Sequence, residues 1–190
     1  MRKTNLIITL LTIFSLALAS LACTISAGGP DYPQTPIAVS TEAIGSFEQQ
    51  LQVAQTAAVE SGLISLSVNE TQITSLLAAK LDSQTDPFIR DPQVYLRDGQ
   101  IQVYGKASRA NVEANVRIVL SATLDANGKP VITVASADFG PIPAPEGLNN
   151  SISGFVDELF TGSFGPAATG LRLESINIAD GVMTITGRIK

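Results

Sequence analysis

Thirteen residues in the middle of the chain constrain its fold more than any other stretch. From Val112 to Leu124 every second residue is apolar: Val112, Ala114, Val116, Ile118, Leu120, Ala122 and Leu124. Glu113, Asn115, Arg117, Ser121 and Thr123 take the positions between, with Val119 as the exception. A period of two places the apolar set on one face of a β-strand. At about 3.3 Å per residue such a strand runs to roughly 40 Å, long against the usual five or six residues. Asn127-Gly128 turns it, and Pro130 to Phe139 returns.

Hairpins flank this strand. Gln93–Arg97 and Gln100–Lys106 enclose Asp98-Gly99, a pair suited to the positive φ angles of a tight turn. Val94 and Leu96 are expected on the same side as Ile101 and Val103. Leu171–Ile178 and Val182–Ile189 enclose Asp180-Gly181 in the same way. An isolated strand, Leu63–Val68, alternates Ile64, Leu66 and Val68 with serines. The spacing predicts three helices. One starts near Thr41 as cap, carries Ile44, Phe47, Leu51, Ala54 and Ala58 on one face, and ends at Gly62. A second opens at Asn69 with Gln72 three residues on, a capping-box pattern. Its stripe is Ile73, Leu76, Leu77 and Leu81, with Lys80 read as off the stripe. A third is expected from about Leu148, with Ile152, Phe155, Val156, Leu159 and Phe160 on one face. Runs of hairpins with few helices predict an α+β domain: a long curved antiparallel sheet built from hairpins, packed on two to three amphipathic helices.

The absences restrict function. The chain has 190 residues, no His and one Cys. That excludes the usual zinc sets, Ser-His-Asp and Cys-His catalysis and an intrachain disulfide. Twelve basic against seventeen acidic residues give a net −5, unfavourable for a nucleic-acid backbone as partner. The remaining carboxylates are poor candidates. Asp157-Glu158 are helical neighbours about 100° apart and do not converge on one atom. Asp98 and Asp180 are explained by their turns. Asp82, Asp86 and Asp91 lack the spacing of an EF-hand loop. No enzyme, metal or cofactor is expected.

The N-terminus points to the cell envelope. Met1-Arg2-Lys3 precedes an uncharged run from Leu6 to Ala22, and Ser20-Leu21-Ala22-Cys23 follows on it. This arrangement resembles the lipobox of bacterial lipoproteins, although Ser20 stands where Leu is usual. The resemblance implies a signal peptide over residues 1–22 and a diacylglycerol on Cys23. An ordinary signal peptide or an uncleaved anchor are the alternatives. Cleavage would leave 168 residues, with ten basic against seventeen acidic side chains, a net −7. Residues 23–40, rich in Gly and Pro, read as acylated Cys plus flexible linker, with a reach of roughly 20–50 Å. Residues 41–190 read as the single domain.

Three features further along resemble the YpmS-like and LmeA-like families of lipid-anchored or membrane-anchored bacterial proteins. They are the strand running into a polar-capped helix (Leu66 to Leu77), the hairpin PQVYLRDGQIQVYG at Pro92 to Gly105, and a Gly-Pro-x-Pro crossing before an amphipathic helix, closed by INIADGVMTITG at Ile176 to Gly187. These families look similar to the TULIP superfamily, which implies a long curved sheet wrapping a helix around an apolar groove for lipid. The resemblance supplies no catalytic residues.

The apolar strand face therefore has two readings: a closed core, or a groove lined for acyl chains. Ala114, Ala122 and Gly105 favour spare volume. On the groove reading, the walls are Ile73, Leu76, Leu77, Ile118, Leu120, Phe155 and Leu159. The expected function is that of a lipoprotein on the extracytoplasmic side of a bacterial membrane, anchored through Cys23, that binds a lipid or other hydrophobic ligand. A non-enzymatic structural or interaction module of a cell-envelope complex is the alternative.

Overall fold

A computed structural model describes residues 25–26, 28–109, 112–148, 150, 152, 154 and 171–189. Its elements, in chain order, are β1 (Ile25–Ser26), α1 (Thr41–Ser61), β2 (Leu63–Asn69), α2 (Glu70–Asp82), β3 (Arg90–Arg97), β4 (Gln100–Arg109), β5 (Val112–Leu124), β6 (Pro130–Asp138), β7 (Leu171–Ala179) and β8 (Val182–Ile189). The expected third helix falls largely outside the described residues; 148, 150, 152 and 154 have helical backbone.

The class is α+β, but the expected single long curved sheet is not what forms. The strands make two separate sheets. In the larger, β3, β4, β5 and β6 are antiparallel neighbours. A two-residue parallel bridge joins β1 to β5 at Val112 and Glu113. The smaller sheet has the order β2-β8-β7. Hairpin turns dictate which consecutive strands pair, and those pairs form as expected. The partner of the isolated β2 is not set by any turn. β2 takes β8 along its whole length, from Leu63↔Arg188 to Asn69↔Val182, and so draws the final hairpin out of the first sheet. Residues 139–170 between β6 and β7 are long enough to allow this separation. The two sheets touch where the Leu173 N–H donates to the Gly128 carbonyl at 3.1 Å, in the β5–β6 turn.

Local chemistry sets the element ends. Asp98-Gly99 and Asp180-Gly181 all have positive φ, the geometry of a two-residue hairpin turn. Gly62 closes α1 at φ 74°, where a side chain would be strained. The N-cap of α1 is Ser40 rather than Thr41: Ser40 has the extended backbone a cap needs, and its hydroxyl accepts from the Ala43 N–H. Asn69 and Gln72 form the reciprocal capping box of α2. Burial in β2 alternates as expected, with Ile64, Leu66 and Val68 inside.

Helix α2 binds the free edge of β3. The Val94 N–H donates to Thr74 Oγ1 at 3.0 Å, and the Leu96 N–H donates to Glu70 Oε1 at 2.8 Å. Arg97 donates to the same carboxylate. Thr74 is 0% exposed, so no water can replace its hydroxyl. Replacing Thr74 with Val keeps the shape and orphans the Val94 N–H. A loss of about 1–3 kcal/mol is expected from urea unfolding, with Thr74→Ser closer to wild type.

Residues 28–39, read as linker, lie against the larger sheet. The Asn115 N–H donates to the Gly28 carbonyl at 3.0 Å. The Tyr32 hydroxyl donates to the Asp91 carbonyl at 2.6 Å, and the Tyr95 hydroxyl to the Thr35 carbonyl at 3.1 Å. Gln93 pairs with both backbone groups of Ile37. Burial, with Asp91 nearby, pushes the Tyr32 phenol from 10.0 up to about 12. The fold thus favours the protonated phenol. Its contribution is whole below pH 10 and is lost as pH rises through about 12. Burial also raises Tyr95. Spectrophotometric titration should show late-ionising phenols, and Tyr32→Phe should remove one of them.

Candidate functional site

Between the two sheets, under α2, lies a partly enclosed cleft of about 330 Å³. The larger sheet supplies Val94, Ile101, Val103, Ile118, Leu120, Ala122 and Ile132 from its inner face. The smaller supplies Leu66, Val68, Ile176, Met183 and Ile185. Helix α2 roofs it with Ile73, Leu76, Leu77 and Leu81, and Phe47 reaches in from α1. Lys80 and Gln84 are the polar groups among the described lining residues.

The cleft exists because β5 changes role along its length. Its first half is close-packed: Ala114 and Val116 are buried with Ala107, Ile89, Phe139 and Ile142. Gly105 opens no space, since a Cβ there would meet the Arg90 carbonyl oxygen at 3.0 Å and Ile89 at 3.3 Å. The second half, Ile118, Leu120 and Ala122, faces the cleft. Of the three small residues expected to leave volume, Ala122 lines the cleft, whereas Ala114 and Gly105 belong to the filled end of the core.

Helix α2 also divides its faces differently from the expectation. Gln72, Thr74, Ser75, Ala78 and Leu81 are its buried side chains, while Ile73, Leu76 and Leu77 are half-buried and line the cleft. The polar members of the buried set are hydrogen-bonded: Gln72 Oε1 accepts from the Asn69 N–H, Thr74 pairs with β3, and Ser75 Oγ pairs with the Thr71 carbonyl and the Ser40 N–H. Lys80, read as off the stripe, is on it. It follows Ile73 by seven residues, Leu76 by four and Leu77 by three, all same-face spacings on a helix. A search for apolar residues alone passes over such a lysine.

The structure thus brings Ile73, Leu76, Leu77, Ile118 and Leu120 together around one cavity. Phe155, Leu159 and Cys23 lie outside the described residues, as does Asp157-Glu158. Among the described residues, no group of three or more His, Cys, Asp or Glu is placed to hold a metal ion. No described helix is long and apolar enough to cross a membrane. Comparison with models of known families and with curated proteins gives no match to this chain. The fold and site together define an α+β domain with an apolar cleft between two sheets.

Paired substitutions test the split in β5. Enlarging a side chain in a filled core costs about 1–3 kcal/mol, which is the expectation for Ala114→Leu. Ala122→Leu enters the cleft and should leave the thermal midpoint unchanged or raise it. Equal destabilisation by both would mean that the cleft has no room.

Proposed function

We propose that this protein is a membrane-tethered extracytoplasmic lipoprotein that binds a lipid or other hydrophobic ligand in the cleft between its two sheets. The observation that carries the reading is the cleft itself, about 330 Å³, whose described lining residues are apolar except for Lys80 and Gln84. Pockets for small ligands run from about 300 to 1,000 Å³ with mostly apolar linings. Binding would be driven by burial of apolar surface, at about 0.8 kcal/mol per methylene.

The tether belongs to the same reading. Its support is the basic start, the uncharged run and Ser20-Leu21-Ala22-Cys23, together with the resemblance to YpmS-like and LmeA-like proteins. One residue separates Cys23 from the bridge of Ile25–Ser26 to β5. An acylated Cys23 would therefore hold the N-terminal end of β5 close to the bilayer. The acidic body of the protein would keep its remaining surface off anionic lipid.

A second reading, an interaction module of an envelope complex, draws on one observation. Val53 and Leu63, 64% and 56% exposed, line a shallow groove between α1 and β2. Native mass spectrometry of residues 24–190 decides between them. A reproducible added mass of lipid size, lost on Leu120→Gln, supports the ligand reading. A clean apo mass that persists after incubation with liposomes removes it and leaves the interaction module.

A further inference from the structure

The register of the larger sheet fixes where the cleft meets solvent. Among its described lining residues Gln84 alone is exposed, and Phe88, shortly after it, is half-buried. Glu70 Oε1 accepts from the Leu96 N–H and Thr74 Oγ1 from the Val94 N–H, so helix numbers rise as strand numbers fall. Helix α2 therefore runs antiparallel to β3, and Gln84, just past its end, lies toward the start of that strand. Phe88 leads into Arg90, the first residue of β3. Arg90 pairs with Lys106, and Lys106 pairs with Asn115. The exposed end of the cleft is thus level with the first residues of β5.

The N-terminal segment meets β5 at that same level. Ile25 and Ser26 pair with Val112 and Glu113, and the Asn115 N–H donates to the Gly28 carbonyl at 3.0 Å. From Cys23 to Ile25 the chain spans at most about 7 Å. The other end of the cleft, at Ala122 and Pro130, is near the β5–β6 turn. From Asn115 to Leu124 β5 runs on for roughly 30 Å. Anchor and exposed mouth therefore share one end of the sheet, and the β5–β6 turn is at the opposite end.

Resting on the tethered, ligand-binding reading above, we infer that the mouth of the cleft faces the bilayer that holds the anchor, and that the cleft exchanges its ligand directly with that leaflet. The ligand is then an acyl-chain lipid of the same membrane. Its chain crosses a short gap between bilayer and cleft, with little apolar surface exposed to water on the way. A short, pinned tether also keeps the mouth at a high effective concentration of membrane lipid. A mouth at the β5–β6 turn would face away from the bilayer and serve lipid arriving from elsewhere.

The test uses the full acylated chain in vesicles of phosphatidylcholine and phosphatidylglycerol. Cys23 is blocked by its lipid, so a fluorophore attaches only where Gln84→Cys or Asn127→Cys introduces a thiol. Phosphatidylcholine spin-labelled at the headgroup should quench the label at 84 about twofold or more over the label at 127. In a second measurement, the chain without added cysteine meets phosphatidylcholine bearing a diazirine in one acyl chain. The probe is placed either in the same vesicles or in a separate population. After brief illumination, crosslinks to the α2 and β5 cleft residues should be about tenfold or more as frequent from the same vesicles. Inserting about twenty Gly and Ser residues between Thr24 and Ile25 adds roughly 25 Å of flexible reach. That insertion should slow crosslinking from the same vesicles about threefold or more and leave the thermal midpoint unchanged.

Equal quenching at the two labels, or stronger quenching at 127, would overturn the orientation and direct exchange with it. Equal cleft crosslinking from the two vesicle populations, or no slowing on insertion, would overturn direct exchange and leave the ligand-binding reading standing. A cleft that crosslinks to the probe from neither population would remove the ligand-binding reading together with this one. A chain that does not stay with the vesicles would remove the tether, and this inference with it.

Discussion

The arrangement depends on how α2 meets the outer edge of β3. Thr74 and Glu70 are four residues apart on the helix, a rise of about 6 Å. Val94 and Leu96 are two residues apart on the strand, a rise of about 6.6 Å. The two spacings match closely enough for two side chains of one helix to satisfy two successive N–H groups of an edge strand. An edge left open would invite pairing with another chain. Here it is satisfied by a helix whose adjoining face then projects over the inner side of the sheet. Ile73, Leu76, Leu77 and Lys80 reach the cleft because Glu70 and Thr74 hold the helix there.

The second sheet makes a cavity out of what would otherwise be one packed layer. β2 leads directly into α2 through the Asn69 cap, so pairing β2 with β8 brings the final hairpin under the same helix. Two sheets and a helix then face a common space. At one end, Phe139 and Ile142 fill it against Ala107 and Ala114. At the other, Ile118, Leu120 and Ala122 on β5 face Ile176, Met183 and Ile185 across open volume. One alternating strand therefore serves as core at its start and as cavity wall at its end.

Much of this was legible in the sequence where the determining contacts are local. The Asp-Gly turns, the Asn69–Gln72 cap, Gly62 and the alternation of β2 and β5 each depend on residues within a few positions of one another. Five cavity-lining residues were readable in the same way, because they belong to strongly periodic segments. Lys80 was not, since apolar periodicity does not register a charged residue on an otherwise apolar stripe. The packing of residues 28–39 was not legible either: Gly and Pro there argue for a spacer, whereas Gln93, Tyr95 and Asp91 lie more than fifty residues away and hold it by hydrogen bonds.

The sequence by itself determined α1, α2 and the strands β2 to β8, the hairpin pairs and the alternating faces of β2 and β5. These follow from backbone geometry and from the period at which apolar side chains recur. The tertiary structure alone decided that the strands divide into two sheets, that α2 buries Thr74 and Ser75 more completely than Leu76 and Leu77, and that Ile118, Leu120 and Ala122 of β5 line a cleft. Each of those outcomes turns on a pairing between segments distant in the chain, such as β2 with β8 or α2 with β3. Local periodicity is the same whichever distant partner a segment takes, so only the folded chain distinguishes a filled core from a cleft.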